Sequence, residues 1–100
     1  MNNQENTLYE SINRLRKQGY THDFEIDKEG KMYQINGKTF SAEEVILDET
    51  HRFEGMTNPS DSSILYAIHT ITGLKGTIVD AYGADGSKAI SDFMNQLEQN

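Results

Sequence analysis

Two apolar runs, SSILYAIHTI at 62–71 and GTIVDAY at 76–82, constrain this chain more than any other feature. Each carries apolar residues on both parities of a two-residue period, so a strand made from either run is apolar on both faces. Strands of that kind belong in the middle of a sheet with cover above and below. A chain of 100 residues has room for one such core, which predicts a single domain over 1–100.

The flanking segments supply the cover. Thr7 followed by Glu10 is a capping-box pattern, Leu8, Ile12 and Leu15 follow at helical spacing, and Gly19 stands where a left-handed residue ends a helix. YTHDFEID then alternates, with Phe24 and Ile26 on one side and Asp23, Glu25 and Asp27 on the other. DKEG predicts a turn, and Asn36-Gly37 between KMYQI and KTF predicts a hairpin. SAEE predicts one helical turn at 41–45. VILDETHRFEGM reads as a long extended segment that NPSD breaks. Ile90, Phe93, Met94 and Leu97 mark an amphipathic C-terminal helix, capped by Asp85 or Ser87.

The expected order is α-β-β-β-α(short)-β-β-β-α. It predicts an α+β fold, a mainly antiparallel β-sheet flanked by the N-terminal and C-terminal α-helices. If both helices lie on one face, the apolar residues of the other face need cover, and a homodimer joined through the sheet supplies it.

Several function classes fit poorly. The formal net charge is −7, from 16 acidic and 9 basic residues, a field that repels nucleic acid and anionic membrane alike. The densest basic cluster, RLRK at 14–17, closes the first helix, where cations complement the helix dipole. The absence of cysteine removes disulfides, thiolate metal sites and a cysteine nucleophile. MNNQENTLYE has neither the basic segment nor the apolar run of a secretion signal, so the cytoplasm is the expected location. No Gly-x-Ser-x-Gly elbow is present, and the serines of SDSS at 60–63 suit a turn. His22, Asp23, Glu25 and Asp27 are ligand-type residues, but alternation sends the acids away from His22. His51 and His69 lack metal-site spacing, so no metal is expected.

Two sets of residues are left as candidate sites. The first is polar and sits in otherwise apolar strands: Arg52, Glu54, Tyr66, His69, Asp80 and Tyr82. If their faces converge, they surround a small polar or anionic ligand; otherwise they satisfy one another as buried pairs. The second is GADGSK at 83–88. Gly83, Gly86, Ser87 and Lys88 there would hold a phosphate at a helix N-terminus, unless Asp85 or Ser87 simply caps that helix.

HRFEGMTNPSDSSILYAI and GLKGTIVDAYG, together with the first helix and GYTHDFEI, resemble a family of small bacterial proteins that carry the label phosphoribosylpyrophosphate synthetase. The loop TIVDAYGADGSKAI is similar in outline to a phosphoribosyl-diphosphate motif, with Ala81 where a second acid would stand and no threonine in the turn. The resemblance implies a phosphoribosyl- or nucleotide-phosphate ligand, with Lys88 and the loop amides at the phosphate. Asp80 would then contact ribose or a magnesium ion. Apart from that resemblance, the residues predict a binding or interaction module rather than an enzyme, with no cofactor.

Overall fold

The computed structural model describes residues 7–27, 29–34, 37–53, 63–81 and 88–99. In chain order they form α1 (Leu8–Lys17), β1 (His22–Ile26), β2 (Met32–Gln34), β3 (Thr39–Phe40), a 3-10 turn (Ala42–Glu44), β4 (Val45–Phe53), β5 (Ser63–Thr70), β6 (Lys75–Ala81), α2 (Lys88–Asn95) and β7 (Glu98–Gln99). The fold is α+β. The strands make one sheet in the order β3-β2-β1-β6-β5-β4-β7.

The sheet is mixed, which corrects the expectation of a mainly antiparallel one. β1 joins β6 in parallel through His22↔Gly76 and Asp23↔Thr77, and β7 joins β4 in parallel through Ile46↔Glu98 and Leu47↔Gln99. The first join arises because the chain leaves the β1-β2-β3 meander through the 3-10 turn and builds β4, β5 and β6 as a second antiparallel meander. That meander's last strand closes against β1 rather than against an outer strand.

Local signals act where expected at α1. The Thr7 hydroxyl accepts from the Glu10 amide at 3.0 Å, and Gly19 takes φ of +102° just past the helix end. The cap residues expected for α2, Asp85 and Ser87, lie outside the described residues.

The two apolar runs became β5 and β6, near the middle of the sheet. Ile64, Tyr66 and Ile68 of β5 join Phe93, Met94 and Leu97 in one core cluster, which also takes in Phe24, Val45 and Ile78. Leu65 and Ala67 of the same strand join Leu15 and Tyr20 in another, with Leu8, Ile12 and Phe53 against it. Residues of each helix therefore cluster with a different parity of β5.

A β-bulge accounts for the mixed parity of the long segment. The register of β4 on β5 shifts between Leu47 and Glu49. Val45 and Leu47 precede the shift and lie in the cluster with α2. Phe53, of the same parity, follows it and packs in the cluster with α1. An extra residue reverses which face each later side chain meets.

Candidate functional site

Strand register decides which polar residues meet. Arg52 on β4, Ile64 on β5 and Asp80 on β6 are direct cross-strand partners, so they share the face that packs on α2. Thr50, Tyr66 and Ile78 form the adjacent row on that face. Lys88, Ser91, Asp92 and Asn95 project from α2 toward the same space. Together they line a cleft of about 610 Å³ between the strands and the helix, floored by Leu47, Ile64 and Met94.

The cleft balances its charges: Arg52 and Lys88 stand against Asp80 and Asp92. Asp80 accepts from the Ala81 amide at 2.8 Å, which fixes one carboxylate oxygen. Lys88 reaches Asp92, one helical turn on, at 2.9 Å. Both groups are exposed, so the pair contributes little and either partner can turn to a ligand. Burial, reinforced by the Asp80 charge and partly offset by Arg52, raises the phenol pKa of Tyr66 above its ordinary value. Tyr66 therefore remains a neutral hydroxyl at physiological pH, able to donate a hydrogen bond.

Of the first candidate set, Arg52, Tyr66 and Asp80 come together, and Lys88 of the second set joins them. His69 does not. It pairs with Ile46 and Lys75 in register, and its Nδ1 lies 2.9 and 3.0 Å from the two carboxylate oxygens of Asp48. A carboxylate only accepts, so Nδ1 carries the hydrogen. Period-two alternation from Tyr66 and Ile68 puts His69 on the α1 face, away from the cleft. Glu54, Tyr82, Gly83, Gly86 and Ser87 lie outside the described residues.

Sequence reasoning missed the polar cluster around that histidine. Tyr20, just beyond α1, donates its hydroxyl to Asp48 at 2.8 Å, and the Asp48 side chain is only 7% exposed. Next to it Arg14 and His51 both reach Glu49, at 3.0 and 2.7 Å, and hold its carboxyl below the usual range. Lys75 lies 4.3 Å from the centre of the Tyr20 ring and donates to the Gln18 carbonyl. Asp48 and Glu49 sit at the bulge, which presents both adjacent acids to one face. The cluster fastens α1 and its exit to β4, β5 and β6. Only the adjacency of the two acids hinted at it, since the bulge has no sequence signal here.

One consequence is measurable. Burial and the Asp48 carboxylate push the Tyr20 phenol up to about 12. Its folded pKa exceeds the unfolded value of 10.0, so its stabilisation is complete below pH 10 and lost as pH rises through about 12. Tyr20→Phe is expected to cost about 1.5–3 kcal/mol at neutral pH, since the lost hydrogen bond ends on a charged acceptor. Chemical denaturation across pH 7–12 should show the difference shrinking at the alkaline end. No difference at any pH would mean that Tyr20 stabilises by packing alone.

Among the described residues, no group of three or more histidine, aspartate or glutamate side chains is arranged to hold a metal ion, and no helix is long and apolar enough to cross a membrane. Compared with protein-family models, with curated proteins and with solved structures, the chain matches none.

Proposed function

We propose that the protein is a small-molecule-binding module whose site is the cleft between α2 and strands β4, β5 and β6. The observation that supports this is the convergence of Arg52, Tyr66 and Asp80 from three neighbouring strands, with Lys88 from the helix, around one opening. An apolar floor with a few convergent polar groups is the usual composition of a ligand site.

The chemistry of the lining points to a ligand with one anionic group and several hydroxyls. Arg52 and Lys88 suit the anion, Arg52 through its two-pronged donor geometry. Tyr66 donates to the same group or to a hydroxyl beside it. Asp80 accepts from hydroxyls, and Ser91, Asn95 and Thr50 complete the polar wall. Phosphoribosyl compounds belong to this class, and a magnesium ion brought by such a ligand would face Asp80.

The test is an amide-shift NMR titration of the labelled protein with ribose 5-phosphate, and separately with ATP and phosphoribosyl diphosphate, each with magnesium. Saturable shifts are expected at 50–52, 64–66, 80–81 and 88–95. Silence at millimolar concentration of all three would overturn the assignment of ligand class.

A further inference from the structure

We propose that His69 is a phosphoryl-acceptor residue, modified at Nε2 by a small acyl phosphate, on the face of the sheet opposite the cleft. Its side chain is 31% exposed, whereas the Asp48 side chain behind it is 7% exposed. Both Asp48 oxygens lie within 3.0 Å of Nδ1, so the neutral ring carries its hydrogen on that nitrogen. Nε2 is then a bare lone pair, and it has no hydrogen-bond partner among the described residues. A nucleophilic nitrogen at the surface, oriented from behind by a nearly buried carboxylate, is the arrangement that an acceptor histidine requires.

The residues around the ring hold it in one orientation. Tyr20 donates to Asp48 at 2.8 Å, so the carboxylate is gripped from the α1 side as well as by His69. Lys75 on β6 stands directly across from His69, the spacing at which side chains of adjacent strands touch. Its ammonium donates to the Gln18 carbonyl at 2.9 Å and lies over the Tyr20 ring, and an ammonium has further hydrogens to offer an incoming oxygen. His51 is built differently, because its Nε2 lies 2.7 Å from Glu49 and is already engaged.

The committed hydrogen selects the donor. The ring's N–H is held by Asp48, so it cannot protonate a leaving group at the other nitrogen. The donor must therefore release a group that is stable as an anion, and the carboxylate of an acyl phosphate is one. The Nε2 lone pair attacks phosphorus, the P–N bond forms, and the P–O bond to the acyl group breaks with its electron pair leaving on the carboxylate. No proton moves. The ring ends with one positive charge and its Nδ1 hydrogen in place, facing Asp48, which stabilises that charge as it develops. Lys75 meets the oxygens of the transferred phosphoryl group.

The experiment incubates the full chain with acetyl phosphate and follows it by phosphorus NMR and by the ring-nitrogen signals of isotope-labelled protein. Phosphorylation is expected at Nε2 of His69, about ten-fold or more faster than at His22 or His51. His69→Gln should abolish it. Asp48→Asn keeps the shape but lets an amide N–H donate to Nδ1, which moves the ring hydrogen to Nε2, so labelling there should fall by about ten-fold or more. Because Asp48 is nearly buried and its variant can lose stability, Lys75→Gln is a second test at a residue outside the core, and it should slow labelling several-fold with the amide spectrum of the fold retained. Equal labelling of the three histidines, label at Nδ1 of His69, no label, or an unchanged rate in either folded variant would each overturn the proposal.

Discussion

Replacing Phe93 with alanine is expected to destabilise the fold by about 3–5 kcal/mol, the usual cost of removing a buried aromatic side chain from a packed core. Phe93 is 1% exposed and sits among strand residues that include Ile64, Ile68 and Ile78. The loss matters beyond stability. α2 has only eight residues, too few to be helical without tertiary packing, and its inner face is what seats Lys88, Ser91 and Asn95 beside the strands. A domain of this size has about 5–15 kcal/mol in total, so the variant should still fold at low temperature. Thermal unfolding should show the drop, and amide exchange of 88–95 should accelerate beyond what global unfolding explains. Uniform exchange, with α2 as protected as β5, would mean that the helix is held by contacts other than Phe93.

Gly76→Ala should cost at least as much as an ordinary overpacked core substitution, about 1–3 kcal/mol, and more if the backbone cannot move. The added Cβ would collide with the His22 carbonyl oxygen and lie 2.5 Å from the Phe24 ring. Gly76 sits at the vertex where β1 and β6 meet, and only a residue without a side chain lets the two strands approach there. For a domain of about this length the midpoint of thermal unfolding should fall by roughly 4–8 °C per kcal/mol. An unchanged midpoint would show that the parallel join between the two meanders is not a tight contact. The surrounding turns are more forgiving: no atom lies within 4 Å of a Cβ built on Gly73, so the penalty there comes only from its φ of +99°.

Much of this architecture is legible in the residues, for reasons that can be named. The run that became β5 had to be covered on both faces, and from Ile64 to Ile68 it is, whereas on β6 the cover is partial and leaves Val79 43% exposed. The Thr7 cap and Gly19 bound α1 because both act through local backbone geometry, which depends little on the rest of the fold. What could not be read is what depends on non-local pairing. Nothing in GYTHDFEI says that β1 will lie parallel to β6, since that neighbour is chosen by how two meanders close. β7, two residues of low strand propensity, exists only because the end of α2 delivers them to the edge of β4.

The candidate site shows the same division. Arg52, Tyr66 and Asp80 could be suspected singly as polar residues in apolar strands, but their convergence follows from register, and register follows from the bulge at Asp48. Without that extra residue Arg52 would face α1, with His51 in its place beside the cleft. His69 shares with them only its place as a polar residue in an apolar strand, and alternation along β5 sends it to the opposite face. There it joins Tyr20 and Asp48, a set whose members lie far apart in sequence.

That separation of faces is the central claim, and one paired measurement tests it. Arg52→Ala and His69→Ala are each titrated with ribose 5-phosphate, or with whichever of the three probes binds the unaltered protein best, and the affinities compared by calorimetry. The account predicts that Arg52→Ala loses about ten-fold or more in affinity, the worth of a hydrogen bond to a charged group, while His69→Ala binds as the parent does. Equal losses in both variants, or a loss in His69→Ala alone, would contradict it and place the ligand on the α1 face.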